Sequence, residues 1–448
     1  MLVISLKNFY LLLKYKTSLI TSLNNKKNFA EKTGRFLFYI GLFLLPSAFF
    51  ISVLSLLFSS LIGFFINKES YFKDKINTCF LIGGLLLIFS SIYNSLNIIE
   101  SNTLEAINPF LENIELFNWI PLILCFYGFQ PYLKSESLRR NSALIILFGT
   151  LPVIFSAIGQ AFFEWHGPMQ TLNGLIIWYQ RPINGITSIT GLFNNQNYLG
   201  CWLNIIWPFC MALFLKKQHF GLSKIFIFLF LTSIALVIIL TASRAAWLGL
   251  ILSIPIYFGK KSAKWFIPIL GMIFIIMTLI FIPIFGENFQ NIMKDLIPSG
   301  IWNNFSQSTY NYEGGISRIE LWKQSIEIIF ENPIFGTGAS SFSSILEAKV
   351  GIWRAHSHNL PLELMVSYGI PATLLILIPF TLLIKFSIEE IFLNNSFSLK
   401  IFLFDRAWIT SLLILSGLHL VDIQYFDGRI SIAGWVLLAG ARNIIRKK

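Results

Sequence analysis

Eleven stretches of this chain are apolar almost without interruption, and charge falls mainly between them. They are Phe36–Ile66, Ile76–Ile98, Asn118–Leu133, Ser142–Trp165, Tyr198–Leu215, Lys224–Leu240, Ala245–Gly259, Trp265–Phe285, Leu360–Phe386, Ile401–Val421 and Ile430–Ile445. A backbone in hydrocarbon must pair every N–H and C=O internally, and about 17–25 helical residues match a bilayer. The runs therefore predict transmembrane helices, the shorter ones tilted or partly buried. Composition excludes a soluble domain, since 12% of residues are charged where soluble proteins carry about 25%. Mean hydropathy is +0.68. Cys79, Cys125, Cys201 and Cys210 all fall inside apolar runs without zinc-site spacing, so they read as core residues rather than a disulfide framework.

The net charge of +12 is distributed in a way that excludes nucleic acid as a partner and sets an orientation. Basic clusters occur at Lys68/Lys73/Lys75, Lys134/Arg139/Arg140, Lys216/Lys217, Lys260/Lys261/Lys264 and Arg446/Lys447/Lys448, with neutral or acidic segments such as Glu100/Glu105/Glu112/Glu115 between them. The positive-inside rule makes the basic clusters cytoplasmic. Parity holds along the chain only if Phe36–Ile66, with Pro46 in its first third, makes two passes as a tight hairpin. The reading is an all-α integral membrane protein of about 12 transmembrane helices with both ends inside. Residues 1–35 form a cytoplasmic lead-in without a signal-peptide core, and 36–448 form a single polytopic membrane domain. The outer face then carries Gly167–Asn197, Ala242–Arg244, Asp422–Arg429 and a large periplasmic loop over 286–357 containing amphipathic helices.

Polar groups on that outer face are the candidates for chemistry. His358 precedes Asn359-Leu360-Pro361, a cap and a helix start, and a pause is expected at Gly369-Ile370-Pro371 before the span resumes. Next to a helix N-terminus the dipole disfavours imidazolium, which suits a general base. His356 and His358 share a face of an extended segment and so also suit a metal, with Glu363 the nearest further ligand; the acid-poor surroundings favour no metal. Arg244 lies in a three-residue turn between apolar runs, and a charge at that depth points to function. Arg318 follows Ser317, which has capping-box spacing to Glu320, and Ile319, Trp322, Ile326, Ile329 and Phe330 give the apolar stripe of a surface-lying amphipathic helix. An arginine in a first helical turn opposes the dipole unless an anion sits there. Arg181, Arg354 and Asn197 are further outer polar residues able to meet a substrate; Asn197 also suits a helix cap at Tyr198. Arg406 is expected to pair locally with Asp405, away from the site. Walker, Asp-x-Asp, His-Glu-x-x-His and Gly-x-Ser-x-Gly patterns are absent from the sequence.

Three blocks resemble the O-antigen ligase and polymerase superfamily: Ser-Arg-Ala-Ala-Trp-Leu-Gly at 243–249, Ser317–Trp322 leading to Asn-Pro-Ile-Phe-Gly-Thr-Gly at 332–338, and His358-Asn359 followed after nine residues by Gly369. Ala372 departs from the family's usual Gly, Thr or Tyr, and the resemblance covers 193–379. It implies a GT-C-like, metal-independent glycosyltransferase of the bacterial inner membrane, with no cofactor and an active site facing the periplasm. Its donor would be a glycan on undecaprenyl pyrophosphate and its acceptor a lipid A core or another glycan. His358 would be the base, with Arg244 and Arg318 on the pyrophosphate. Polymerisation of lipid-linked repeats and protein glycosylation use related chemistry. A small-anion carrier, for bicarbonate for instance, is the rival from another class, against which stands the lack of an inverted repeat.

Overall fold

The computed structural model describes residues 27–67, 71–101, 114–183, 188–216, 221–259, 262, 264–268, 271, 272, 275, 316–394 and 402–445. Residues 1–26, most of Trp265–Phe285 and 286–315 of the expected outer loop lie outside this set. Helices dominate. They are α1 (residues 27–44), α2 (Phe49–Asn67), α3 (Lys75–Ser101), α4 (Ile120–Phe129), α5 (Glu136–Gly149), α6 (Leu151–Phe163), α7 (Gln196–Lys216) and α8 (Leu222–Leu240). There follow α9 (Arg244–Phe258), α10 (Arg318–Glu331), α11 (Ser341–Val350), α12 (Leu360–Tyr368), α13 (Ile370–Ile388), α14 (Leu403–His419) and α15 (Gly428–Ile445). Among the described residues the expected all-α fold is modified by one small hairpin, in which β1 (Met169–Thr171) pairs antiparallel with β2 (Ile176–Trp178). Leu172, Asn173 and Gly174 take left-handed conformations in the turn between the strands.

Among the described residues six helical segments are long and apolar enough to cross a membrane: Phe49–Asn67, Lys75–Leu96, Glu136–Phe163, Gln196–Lys216, Leu222–Leu240 and Ile370–Leu393. Arg244–Phe258 is apolar but shorter. On α8 the side chains of Phe226, Phe228, Leu229, Leu236 and Ile239 are exposed, as expected of a surface that meets hydrocarbon. Phe36–Ile66 is divided as its proline suggests. α1 and α2 run antiparallel, with Ser52 Oγ donating to Gly41 O at 2.7 Å and Ser59 Oγ to Gly34 O at 2.8 Å. Small residues let these backbones approach closely.

α7 and α14 are largely buried and pack against each other. Ser411 Oγ donates to Ile205 O at 2.7 Å, and Asn204 Nδ2 bridges to Ala246 O of α9 at 3.0 Å. Each helix separates a basic pole from a polar one. Lys216 ends α7 and Asn197 stands in its first turn, while Asp405 stands in the first turn of α14 and Asp422 follows its end. At the basic pole Asp405 takes two hydrogen bonds from Arg139, Nε at 2.7 Å and Nη2 at 2.6 Å, with both side chains wholly buried. The expected Arg406–Asp405 pair is therefore not formed. Arg406 donates to Tyr257 O at 3.2 Å and lies over the Phe392 ring, because neighbours on a helix point about 100° apart and only Arg139 faces the carboxylate.

Candidate active site

At the pole opposite those basic residues, three helix ends converge: the start of α7, the start of α12 and the segment after α14. Asn359 caps α12, its Oδ1 accepting from Leu362 N at 3.1 Å, while its Nδ2 donates to Leu420 O at 3.0 Å and ties α12 to the end of α14. That places His358 one residue outside the helix, in a left-handed conformation with φ 55°. Its ring orientation comes from a partner far away in sequence. His358 Nδ1 lies 2.7 Å from Asp422 Oδ1. Asp422 is itself held by Ile423 N–H at 2.9 Å on Oδ1, and by Asn197 Nδ2 at 2.9 Å and Gln424 Nε2 at 3.1 Å on Oδ2. Burial pushes the Asp422 carboxyl up, but the hydrogen bond to His358, the two nearby histidine rings and the Ile423 N–H outweigh it and hold the group below its ordinary value. An ionised Asp422 requires Nδ1 of His358 to carry the proton, which leaves Nε2 as a lone-pair acceptor.

His356 stacks on Phe426 with centroids 5.6 Å apart and meets the His358 ring edge-on at 4.3 Å. Burial lowers its pKa to about 4, helped by His358 and Arg318 and opposed by Asp422. Its Nδ1 accepts from His358 N at 3.3 Å. Ser357 N donates to Glu363 Oε2 at 2.8 Å, so the first turn of α12 grips the loop that presents both histidines. Burial lifts the Glu363 carboxyl to about 7 against the pull of Ser357. Ligand-type atoms of His356, His358 and Asp422 lie within 4.8 Å of one another, a set suited in composition to a cation. Glu363, the further ligand expected from the sequence, is not in that set, because it faces Ser357.

The two arginines occupy equivalent positions. Arg244 is the first residue of α9 after Ser243, whose Oγ accepts from Ala246 N at 3.4 Å. Arg318 is the first residue of α10 after Ser317, whose Oγ accepts from Glu320 N at 3.2 Å. Both are exposed, and they stand close enough for their like charges to couple; Arg318 also acts on His356. Two helix N-termini and two guanidinium groups beside a histidine form an anion site by composition. Arg354 is half-buried in the strand of chain leading to His356, and Arg181 is exposed beside the β hairpin. Neither contacts the His358–Asp422 pair among the described residues.

The other motifs brace this site. Residues 332–338 fold against the break between α12 and α13, with Thr337 N donating to Val366 O at 2.7 Å, Gly338 N to Ser367 O at 3.1 Å and Ile370 N to Pro333 O at 2.8 Å. Gly336 (φ 67°) and Gly369 (φ 82°) interlock. A Cβ at Gly336 would stand 2.4 Å from Val366 O, and one at Gly369 would stand 2.1 Å from Ile334 O. Of the apolar stripe expected on α10, Ile329 is buried with Leu321, Ser325 and Ile328, whereas Ile319, Ile326 and Phe330 are exposed. Apolar residues occur on both sides of that helix, and the side with Leu321 and Ile328 packs on Phe342 and Val366. Capping of α7 falls to Asn195, whose Oδ1 accepts from Asn197 N at 2.7 Å, so the Asn197 amide is free to hold Asp422. Sequence reasoning missed Asp422 and Gln424. The available signal was a cluster of polar residues, Asp422, Gln424, Asp427 and Arg429, directly after an apolar run.

Residues 226–377 match the family model described as O-Antigen ligase, inside the 193–379 interval marked out by the motifs. The chain is also 30% identical over 140 residues to the ComP-specific O-oligosaccharyltransferase of Acinetobacter baylyi. That alignment covers 29% of this chain and 24% of the relative, so it spans about a quarter of the relative's length. The family match takes in Arg244, Arg318, His356 and His358 and stops short of Asp422.

Proposed function

We propose that this chain, an O-antigen ligase-like membrane protein over residues 226–377, moves a glycan from undecaprenyl pyrophosphate to a sugar hydroxyl of the lipid A core. The observation that carries this reading is the His358–Asp422 pair beside two arginines that each begin a helix. His358 Nε2 takes the proton of the acceptor hydroxyl as its oxygen attacks the anomeric carbon. The bond from that carbon to the pyrophosphate breaks, and the lipid pyrophosphate leaves with the electron pair, inverting the centre. Asp422 fixes the tautomer and neutralises the charge that develops on the ring. Arg244 and Arg318 take up the charge growing on the pyrophosphate, which removes the need for a metal ion.

This reading includes about 12 crossings, both ends in the cytoplasm and the site on the periplasmic side of the inner membrane. Arg354 and His356 line the approach to the base. A protein hydroxyl as acceptor is the second reading, favoured by the oligosaccharyltransferase relative. The test is a gel of surface lipopolysaccharide from a deletion strain complemented with wild type or His358→Ala, with undecaprenyl-linked glycan measured in parallel. Loss of capped core with accumulation of long lipid-linked chains is expected for the deletion and for His358→Ala. Core capped by one repeat would make the protein a polymerase, and unchanged banding with loss of protein glycosylation would select the second reading.

A further inference from the structure

Beside the base lies a groove that the mechanism does not use. One cavity of about 240 Å³ touches Tyr179, Asn194, Tyr198, Phe426, Asp427 and Arg429. A second, of about 420 Å³, touches Tyr179, Asn194, Gln180 and Arg181. Because both are lined by Tyr179 and Asn194, they form one groove from the β hairpin to the loop that carries Asp422. Its inner end is Phe426, which stacks on His356, which in turn meets His358.

We infer that this groove is a saccharide subsite that holds the terminal sugars of the acceptor glycan and delivers one hydroxyl to His358. The inference rests on the transfer reading above. A sugar ring presents a C–H face for stacking and a rim of hydroxyls for planar hydrogen-bonding groups. The groove offers both. Tyr179 is 57% exposed and Ile177, beside it in the wall, 41%. Asn194 is an exposed amide. Asp427 is gripped by Arg429, whose Nε stands 2.9 Å from Oδ1, and Arg429 is fixed in turn by Leu192 O at 2.9 Å and by the Phe193 ring at 3.7 Å. That pair cancels its own charge while keeping its remaining lone pairs and N–H groups for a neutral polyol. In the second cavity Gln180 is 1% exposed and held by Ser156 through Nε2, while Oε1 is an acceptor without a partner among the described residues. The coupled arginines at the starts of α9 and α10 suit a pyrophosphate by contrast. The two chemistries divide acceptor from donor.

The test uses the full-length protein in nanodiscs with a lipid-linked donor and core oligosaccharide freed of lipid A. Tyr179→Ala and Asn194→Ala are expected to raise the KM for the oligosaccharide about tenfold while donor KM stays at the wild-type value. Tyr179→Phe, which keeps the ring, restores acceptor KM. A rise in donor KM alone overturns the assignment, and so does competition by a serine-containing peptide with none by the oligosaccharide. Failure of the groove is separable from failure of the transfer reading by saturation-transfer NMR with the oligosaccharide. Binding that survives His358→Ala and is lost in Tyr179→Ala supports the groove even if wild type transfers nothing. An oligosaccharide that does not bind wild type overturns it even if transfer occurs.

Discussion

In the proposed mechanism His358 and Asp422 divide the work of a base between a ring that accepts a proton and a carboxylate that decides where the ring's own proton sits. His358→Ala is expected to lower transfer by about 10²–10⁴-fold, read as product formation at saturating donor. Asp422→Asn keeps the shape but lets the amide present a donor to Nδ1, which shifts the proton to Nε2, the wrong tautomer for a base. Transfer should fall by about 10²-fold or more with the protein still folded; an active Asp422→Asn enzyme would remove the dyad from the mechanism. His356 provides a second handle at this scale. Its pKa lies at about 4, below the ordinary histidine value, because burial disfavours the charged ring. Between about pH 6.5 and that value the unfolded chain binds the extra proton, so stability is full above the unfolded pKa and is lost as pH falls through the window. His356→Phe, which retains the stack on Phe426, should flatten the decline in melting temperature from pH 7 to pH 5. An unchanged slope would assign the acid sensitivity to another group.

At the scale of elements, the site depends on a clamp. The 332–338 turn and the α12–α13 break interlock through Gly336 and Gly369, and Ser90 and Asn94 of α3 both donate to Phe335 O from behind. Gly369→Ala combines a positive φ with a Cβ 2.1 Å from a carbonyl oxygen, and should cost at least about 2 kcal/mol. Gly417→Ala, in open space on α14, should be neutral. Thermal melts of the two solubilised variants check the contrast, and equal melting temperatures would show that the clamp yields. Much of this was legible in the sequence: the helix hairpin from Pro46, the pause at Gly369, the caps at Ser317 and Asn359, and the two arginines after serines. These are local signals, each written within a few residues. Asp422 was not legible, since its partner is 64 residues away, and no local rule links a carboxylate after one apolar run to a histidine before another. Which side of α10 is buried was not legible for a related reason. Apolar residues lie on both of its faces, and only the packing of α11 and α12 selects Leu321 and Ile328 for the interior.

Across the whole molecule, polar chemistry is separated into two poles by apolar helices. α14 has 17 residues, about 25 Å at 1.5 Å per residue, and it carries Asp405 at one end while Asp422 follows the other. The Arg139–Asp405 pair is 0% and 1% exposed, and Arg442 makes a similar bond to Asp74 at 2.8 Å, so the basic pole is stapled between α5 and α14 and between α15 and the start of α3. Desolvating two charges offsets much of their attraction, yet removing one partner strands the other in a low-dielectric interior. Asp405→Ala should therefore cost about 3–5 kcal/mol, seen as a collapse of folded protein on extraction. The double replacement Arg139→Met with Asp405→Leu leaves no stranded charge and should melt close to wild type. Because the pair lies a helix length from His358, that double variant should also keep its transfer rate. A stable double variant with lost transfer would mean that the two poles are coupled through α14, and that the ion pair serves the chemistry as well as the fold.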